Sequence, residues 1–350
     1  MTSSAIKFII FLGIMAVSFY TVFMYNSQLV YPLGLAETNF IDRSRIFDNQ
    51  PRTLKVLIWY PIKNESRVEK IEYDIWKVKD TTKDAIPRAD KKLPLIIFSH
   101  GYSGHPYANS WFAEYLASHG YIVASIQHYG NSFPESMIPE ISVRPWNRPQ
   151  DMSFVLDHLL AHPLWGQSID TDKIGAAGFS QGGIASLWLA GIRADLTQDI
   201  LKKQITFIND PFLRNLHFKN YSPQRLDAVL SQFTHKDFEE ANRSYKDPRI
   251  KAVCALAPGI DKENPMFLKE GLSGVKVPVS IVVGENDDVA VSQFFAAHIP
   301  QSTLCILPGK VTHWTLLNEA TEHGKKINPF ITVDDSSIDR AKIHQQVGSL

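Results

Sequence analysis

Residues 173–191 read KIGAAGFSQGGIASLWLAG, and they contain the one G-x-S-x-G in the chain, Gly178-Phe179-Ser180-Gln181-Gly182. A chain of this composition gives about 0.1 such matches by chance. The context adds weight, because a strand-like run, Lys173–Gly178, passes without a linker into a helix-like run, Ile184–Leu189. A turn this sharp forces the serine backbone into a strained conformation, tolerated only with small flanking residues, and lifts Oγ above the sheet edge. The helix amino terminus beneath it favours developing negative charge.

Working outward, apolar runs of strand length alternate with helical spacing, the pattern of βαβ units and a mostly parallel sheet. Thr53–Tyr60 and Leu93–Phe98 read as early strands, the second apolar enough to be covered on both faces. Trp111, Phe112, Tyr115 and Leu116 share a helical face that Gly120 ends, before a strand at Tyr121–Ile126. Met152, Val155, Leu156 and Leu159 form the stripe of a second crossover helix. Lys251–Leu256, Val277–Val283 and Ser302–Leu307 supply three more strands, for a central sheet of about seven or eight flanked by helices. Residues 193–248 break the rhythm with charge and with Phe207, Phe212, Phe218, Phe233 and Phe238. An inserted helical lid is expected there, with a surface excursion as the alternative.

A serine hydroxyl needs a base within hydrogen-bond reach, itself oriented by a carboxylate, and on such an elbow the chain order is nucleophile, acid, histidine. Among the histidines after Ser180, His217 and His235 fall in the insertion, His298 ends a helix, and His323 and His344 lie in polar sequence. His313 sits in a short loop just past a strand, where it can point back over the sheet, and is the expected base. The strand VPVSIVV ends in Gly284-Glu285-Asn286-Asp287-Asp288, at the carboxyl edge where ligand-facing groups belong. Asp287, three residues past the glycine, is the expected acid, with Asp288 and Glu285 as competitors. For the oxyanion, the N–H of Gln181 and that of Tyr102 in the turn Ser99-His100-Gly101-Tyr102 are the expected donors. His100 is expected to brace that turn.

Lys+Arg and Asp+Glu stand at 36 each in 350 residues, with no long run of one sign, which argues against a nucleic-acid partner. No metal-ligand spacing, phosphate loop or dinucleotide fingerprint occurs, so no cofactor or metal is expected. Cys254 and Cys305 lie on strands expected to be separated by a third, roughly 9 to 10 Å apart and beyond the ~7 Å reach of a disulfide, and should be free thiols. Phe8–Tyr25 is an 18-residue apolar run preceded by Lys7. As a helix it is about 27 Å long against the ~30 Å bilayer core, so residues 1–36 are expected to be an anchor or a signal peptide with a small-x-small site at Ala16-Val17-Ser18, or else a buried amino-terminal helix. Either of the first two gives an exported or membrane-associated enzyme, with residues 37–350 as the folded domain.

PLIIFSHGYSG, LASHGYIVASIQHYGNS, DMSFVLDHLL, GAAGFSQGG, VSIVVGENDD and LPGKVTHWTLL, spread over Leu93–Glu319, together resemble the α/β hydrolases. Within them the chain is similar to the bacterial group of dienelactone hydrolase and platelet-activating-factor acetylhydrolase. The resemblance implies Ser180 as nucleophile, Asp287 as acid, His313 as base, Tyr102 and Gln181 as oxyanion donors, and an ester or lipid-ester substrate. The chain departs from dienelactone hydrolases, which use a cysteine nucleophile, and from the acetylhydrolases in carrying Phe179 and Gln181 around the serine. A thioesterase or peptidase on the same triad, or a catalytically silent binding module, are the alternatives.

Overall fold

A computed structural model describes residues 30–63, 72–73, 75–88, 90–135, 137–205, 222–259 and 266–350. Segment 8–25 and residues Phe207, Phe212, His217 and Phe218 lie outside them. The chain builds strands β1 (Leu33–Phe47), β2 (Gln50–Pro61) and β3 (Leu93–Ser99), helix α1 (Ser110–Ser118) and strand β4 (Ile122–Gln127). Helix α2 (Asn147–Ala161), strand β5 (Ile169–Phe179) and helix α3 (Gln181–Ala190) follow. The insertion contributes α4 (Gln198–Ile205), α5 (Pro223–Leu230) and α6 (His235–Asn242). Strands β6 (Ile250–Leu256) and β7 (Val279–Gly284), helix α7 (Val289–His298), strand β8 (Ser302–Leu307) and helix α8 (Arg340–Gly348) complete the described elements used here.

The strands form one sheet in the order β8-β7-β6-β5-β3-β4-β2-β1, with a two-residue piece, Thr82–Lys83, beside β1. From β4 to β8 every neighbour is parallel, while β2 joins β4 antiparallel. Every strand read from sequence is present. Two strands were not anticipated, β1 and the two-residue Thr82–Lys83 piece, which bring the sheet to nine, and β1 starts at Leu33, four residues before the boundary expected at Glu37. It forms a hairpin with β2 through Asp48 and Asn49, both at positive φ (47° and 59°), the backbone that tight two-residue hairpin turns require. As a half-exposed edge strand carrying Glu37, Asp42, Arg43 and Arg45, it lacks the continuous apolar signature of its neighbours.

Each face of the sheet carries its own core. Helices α2, α3 and α7 cover one with Met152, Val155, Leu156, Ile184, Trp188 and Phe295. Helices α1 and α8 cover the other with Trp111, Phe112, Ala117 and Val347. Gly120, at φ 96°, closes the chain behind α1 as its sequence suggested. The described helices of the insertion dock beside α2. Arg144 pairs with Asp237 at 3.0 Å, Arg225 with Glu140 at 2.7 Å, and Gln150 bonds Glu240 at 3.2 Å. Phe233 lies under the Arg144 guanidinium at 4.1 Å and edge-on to Trp146. Cys254 on β6 and Cys305 on β8 are free, with β7 between them. Among the described residues no helix is long and apolar enough to cross a membrane.

His344 on α8 stacks on Trp111 of α1 with ring centroids 4.1 Å apart, and its Nε2 meets the Thr315 carbonyl at 3.0 Å. Burial pushes its pKa down to about 3, and likewise pushes His105 and His128 to about 4, against an ordinary value of 6.5. The folded protein therefore refuses protons that the unfolded chain accepts, and the stability these rings contribute is present above pH 6.5 and lost as pH falls toward 4. Urea unfolding should show ΔG declining through this window, and His344→Gln should make the decline shallower while lowering ΔG at pH 7.

Candidate active site

Ser180 stands between β5 and α3 with φ 54° and ψ −120°, a backbone rarely adopted by residues other than glycine. Its amide bonds the Leu256 carbonyl at the end of β6 (2.8 Å), which anchors the strained turn to a neighbouring strand. The turn is also crowded from below. A Cβ on Gly182 would lie 1.9 Å from the Ser99 carbonyl oxygen of β3, and one on Gly178 would lie 2.3 Å from the Gly182 oxygen. No side chain fits at either position, which is the physical content of the two glycines around the serine. Gln181 begins α3, so its N–H is among those a helix leaves without an intrahelical partner.

His313 opens a single helical turn, His313–Leu316, just beyond β8. Its Nδ1 donates to Asp287 Oδ2 at 2.8 Å, leaving Nε2 as the acceptor nitrogen. The ring also lies against Phe179, with centroids 4.7 Å apart. The two loops that carry this pair are laced together: Asn286 N–H donates to the Val311 carbonyl and Gly309 N–H to Glu285 Oε2 (2.9 and 2.6 Å). This separates the three carboxylates that sequence left in competition. Asp287 meets His313, Glu285 closes the loop-to-loop bond, and Asp288 is exposed at the start of α7. Burial alone would raise the Asp287 carboxyl. The hydrogen bond and charge of His313, with the Asp288 N–H at 2.7 Å, outweigh it and hold the group below its ordinary value.

Gly259, in the loop after β6, ties the halves together. A Cβ there would stand 3.3 Å from Ser180 Oγ and 3.9 Å from His313 Cε1, so the hydroxyl and that ring carbon are no more than about 7 Å apart. The expected nucleophile, base and acid thus converge on one place. The Tyr102 turn joins them, since a Cβ on Gly101 would come within 3.4 Å of Ser180 Cβ.

His100 is fully buried and braces its turn, Nδ1 to the Gly101 carbonyl at 2.7 Å and Nε2 to Ser132 Oγ at 2.8 Å. His298 Nδ1 bonds the Phe294 carbonyl on its own helix. Sequence reading missed Gly259. It also missed a buried polar cluster behind the site in which Asp151 is held by Arg52 (2.6 and 2.8 Å), Arg45 (2.8 Å) and His128 (2.8 Å). Burial would raise the Asp151 carboxyl, but the charges of Arg52 and Arg45 hold it far below the ordinary carboxylate range. A signal for the cluster did exist: IIFSH and ASIQH each place a histidine directly after a strand, and His100 and His128 lie together, 5.1 Å between centroids.

Against known proteins, a family model described as platelet-activating factor acetylhydrolase, isoform II, matches residues 76–140. The chain is 24% identical over 195 residues to the protein described as "Putative esterase YitV" of Bacillus subtilis (strain 168), covering 54% of this chain and 71% of that one. It is 29% identical over 112 residues to a cutinase of Thermobifida fusca (strain YX), covering 31% of this chain and 34% of the cutinase. A ferulic acid esterase from Streptomyces cinnamoneus has a similar structure, with TM-score 0.58 and 18% identity, covering 91% of this chain and 88% of that one.

In proton NMR of the folded protein, the hydrogen-bonded Nδ1–H of His313 should give a low-field resonance that Asp287→Asn shifts or abolishes and Asp288→Asn leaves in place. Gly259→Val should slow modification of Ser180 by a fluorophosphonate at least tenfold, because the added methyls fall between Oγ and the imidazole.

Proposed function

We propose that this α/β-hydrolase is a serine carboxylic ester hydrolase that works through an acyl-enzyme on Ser180, with His313 as base and Asp287 as acid. The observation that carries the reading is a strained-elbow serine and an imidazole on either side of Gly259, the imidazole's far nitrogen being already committed to a carboxylate. That pairing fixes the tautomer that leaves Nε2 free to accept a proton. The descriptions of the relatives and of the matching family support the ester as the scissile bond.

In the reaction, Ser180 Oγ attacks the ester carbonyl carbon and its proton passes to His313 Nε2. Asp287 keeps the ring oriented and stabilises the imidazolium. The tetrahedral oxyanion is received by the N–H groups of Gln181 and Tyr102, each such donor being worth about 2.7 to 4 kcal/mol. Collapse expels the alkoxide, which takes the proton from His313 and leaves as the alcohol. Water, deprotonated by the same imidazole, then releases the acid and restores the hydroxyl.

Beside His313, Trp314 lies edge-on to Phe330 (5.7 Å), which is 52% exposed, and together they give the site an apolar rim. That rim and the match to the acetylhydrolase family support an ester with an apolar acyl group, including a lipid ester. The apolar run Phe8–Tyr25 supports export or membrane association of the enzyme.

The test is a panel of p-nitrophenyl acyl esters, with matched thioesters and amides, on the full chain. Ser180→Ala should lower kcat at least 10³-fold and Asp287→Asn about 10⁴-fold. Esters should lead the panel in kcat/KM. Wild-type activity unaltered by Ser180→Ala, or folded protein that a fluorophosphonate does not label, would overturn the proposal.

A further inference from the structure

Arg148, two residues into α2, is 2% exposed, yet among the described residues its guanidinium has no carboxylate as a hydrogen-bond partner. Its donors go to neutral oxygens instead. Nη1 bonds Ser99 Oγ at 3.1 Å and the His100 carbonyl; Nη2 bonds the Gly101 carbonyl at 2.9 Å and Asn131 Oδ1 at 3.0 Å. Burial pulls its pKa down to about 9, still above neutrality, with the charge of Asp151 opposing the fall. Burying a cation is costly, and these neutral oxygens, with the nearby Asp151 charge, offset that cost, so the acceptors are tied to the guanidinium.

That backbone is the turn beside the nucleophile. The Gly101 carbonyl oxygen accepts three hydrogen bonds: from Arg148 Nη2, from His100 Nδ1 at 2.7 Å, and from the Gly104 N–H at 3.1 Å. The next N–H in the same peptide plane belongs to Tyr102. In a trans peptide the N–H points opposite to the C=O, and the one cis bond among the described residues is Phe133–Pro134. Fixing the carbonyl on the Arg148 side therefore fixes the Tyr102 N–H on the other. Asn131, held by Arg148, accepts the Ser103 N–H at 2.9 Å and secures the following residue as well.

We propose that Arg148 is a positioning residue of the oxyanion site: by clasping the His100 and Gly101 carbonyl oxygens it aims the Tyr102 N–H at the oxygen of the tetrahedral intermediate. This rests on the reading of Ser180 as nucleophile and Tyr102 as oxyanion donor. His100 acts beside Arg148 on the same carbonyl, and Ser132 in turn holds the His100 ring at 2.8 Å.

The test compares wild type, Arg148→Met, Arg148→Lys and Ser132→Ala, all as full chains, with rates normalised to fluorophosphonate-titrated sites so that folded fraction drops out. Arg148→Met should lower kcat roughly 100-fold with KM changed less than twofold, because the misdirected donor matters only once charge develops on the oxygen. The inhibition constant of a trifluoromethyl ketone, which forms a tetrahedral oxyanion adduct on the serine, should rise by the same factor, and that of the carboxylic acid product should not move. Arg148→Lys, which retains a charged donor, should recover part of both. Loss of kcat with an unchanged ketone constant, or no loss in either, would overturn the inference. If Arg148→Met does not fold, Ser132→Ala decides: a fall in kcat of several-fold with a parallel rise in the ketone constant supports it, and wild-type values for both overturn it. Failure of wild type to react with the fluorophosphonate would instead strike the underlying reading of Ser180.

Discussion

Everything at the carboxyl edge of the sheet depends on how closely three pieces of backbone approach one another where β3 and β5 end. The Ser99 carbonyl lies so near Gly182 that not even a methyl group could stand between them. This contact drives the first turn of α3 up against the sheet, forces the Ser180 backbone into positive φ, and brings the Gly101 turn alongside the serine. A strained residue persists only where its surroundings over-determine it. Here the surroundings are two parallel strands buried on both faces, whose central residues Ile97 and Ala176 are inaccessible to water. A rigid sheet bears the strain, and the hydroxyl is carried on the strained residue itself.

Much of this was legible in sequence because it rests on local rules. The elbow announces itself by spacing, His313 by its place just past a strand, and the alternation of apolar runs by the βαβ rhythm. Local spacing put the expected acid at Asp287 but left Asp288 and Glu285 in competition, since what sets Glu285 apart is its acceptance of the Gly309 N–H across 24 positions. Gly259 and Arg148 escaped notice for the same reason. A glycine after a proline reads as a turn and an arginine before a proline as a helix start, and nothing in either stretch says what lies opposite. Strand β1 was hidden differently: its inward residues alternate with charged ones, and the apolar segment ahead of it drew the boundary too late.

The match to the acetylhydrolase family model falls on residues 76–140, which hold the Gly101–Tyr102 turn, α1 and β4 but none of Ser180, Asp287 or His313. The likeness and the convergent side chains therefore lie in separate parts of the chain. The first covers the turn and the helix behind it; the second is the geometry of three side chains supplied by β5, β7 and β8. Between them runs the buried cluster of Asp151, Arg52, His128 and Arg148, which links the edge hairpin, α2 and the turn in one polar network.

The clasp between α8 and α1 bears on the order in which the chain can acquire its structure. One face of the sheet is finished only when His344 and Val347 arrive against Trp111 and Phe112, more than two hundred residues away along the chain. During synthesis, the aromatic surface of α1 thus stays without this cover until the chain has been made through Val347. Until then α1 presents Trp111 and Phe112 uncovered, the kind of transient apolar surface on which chains mispair.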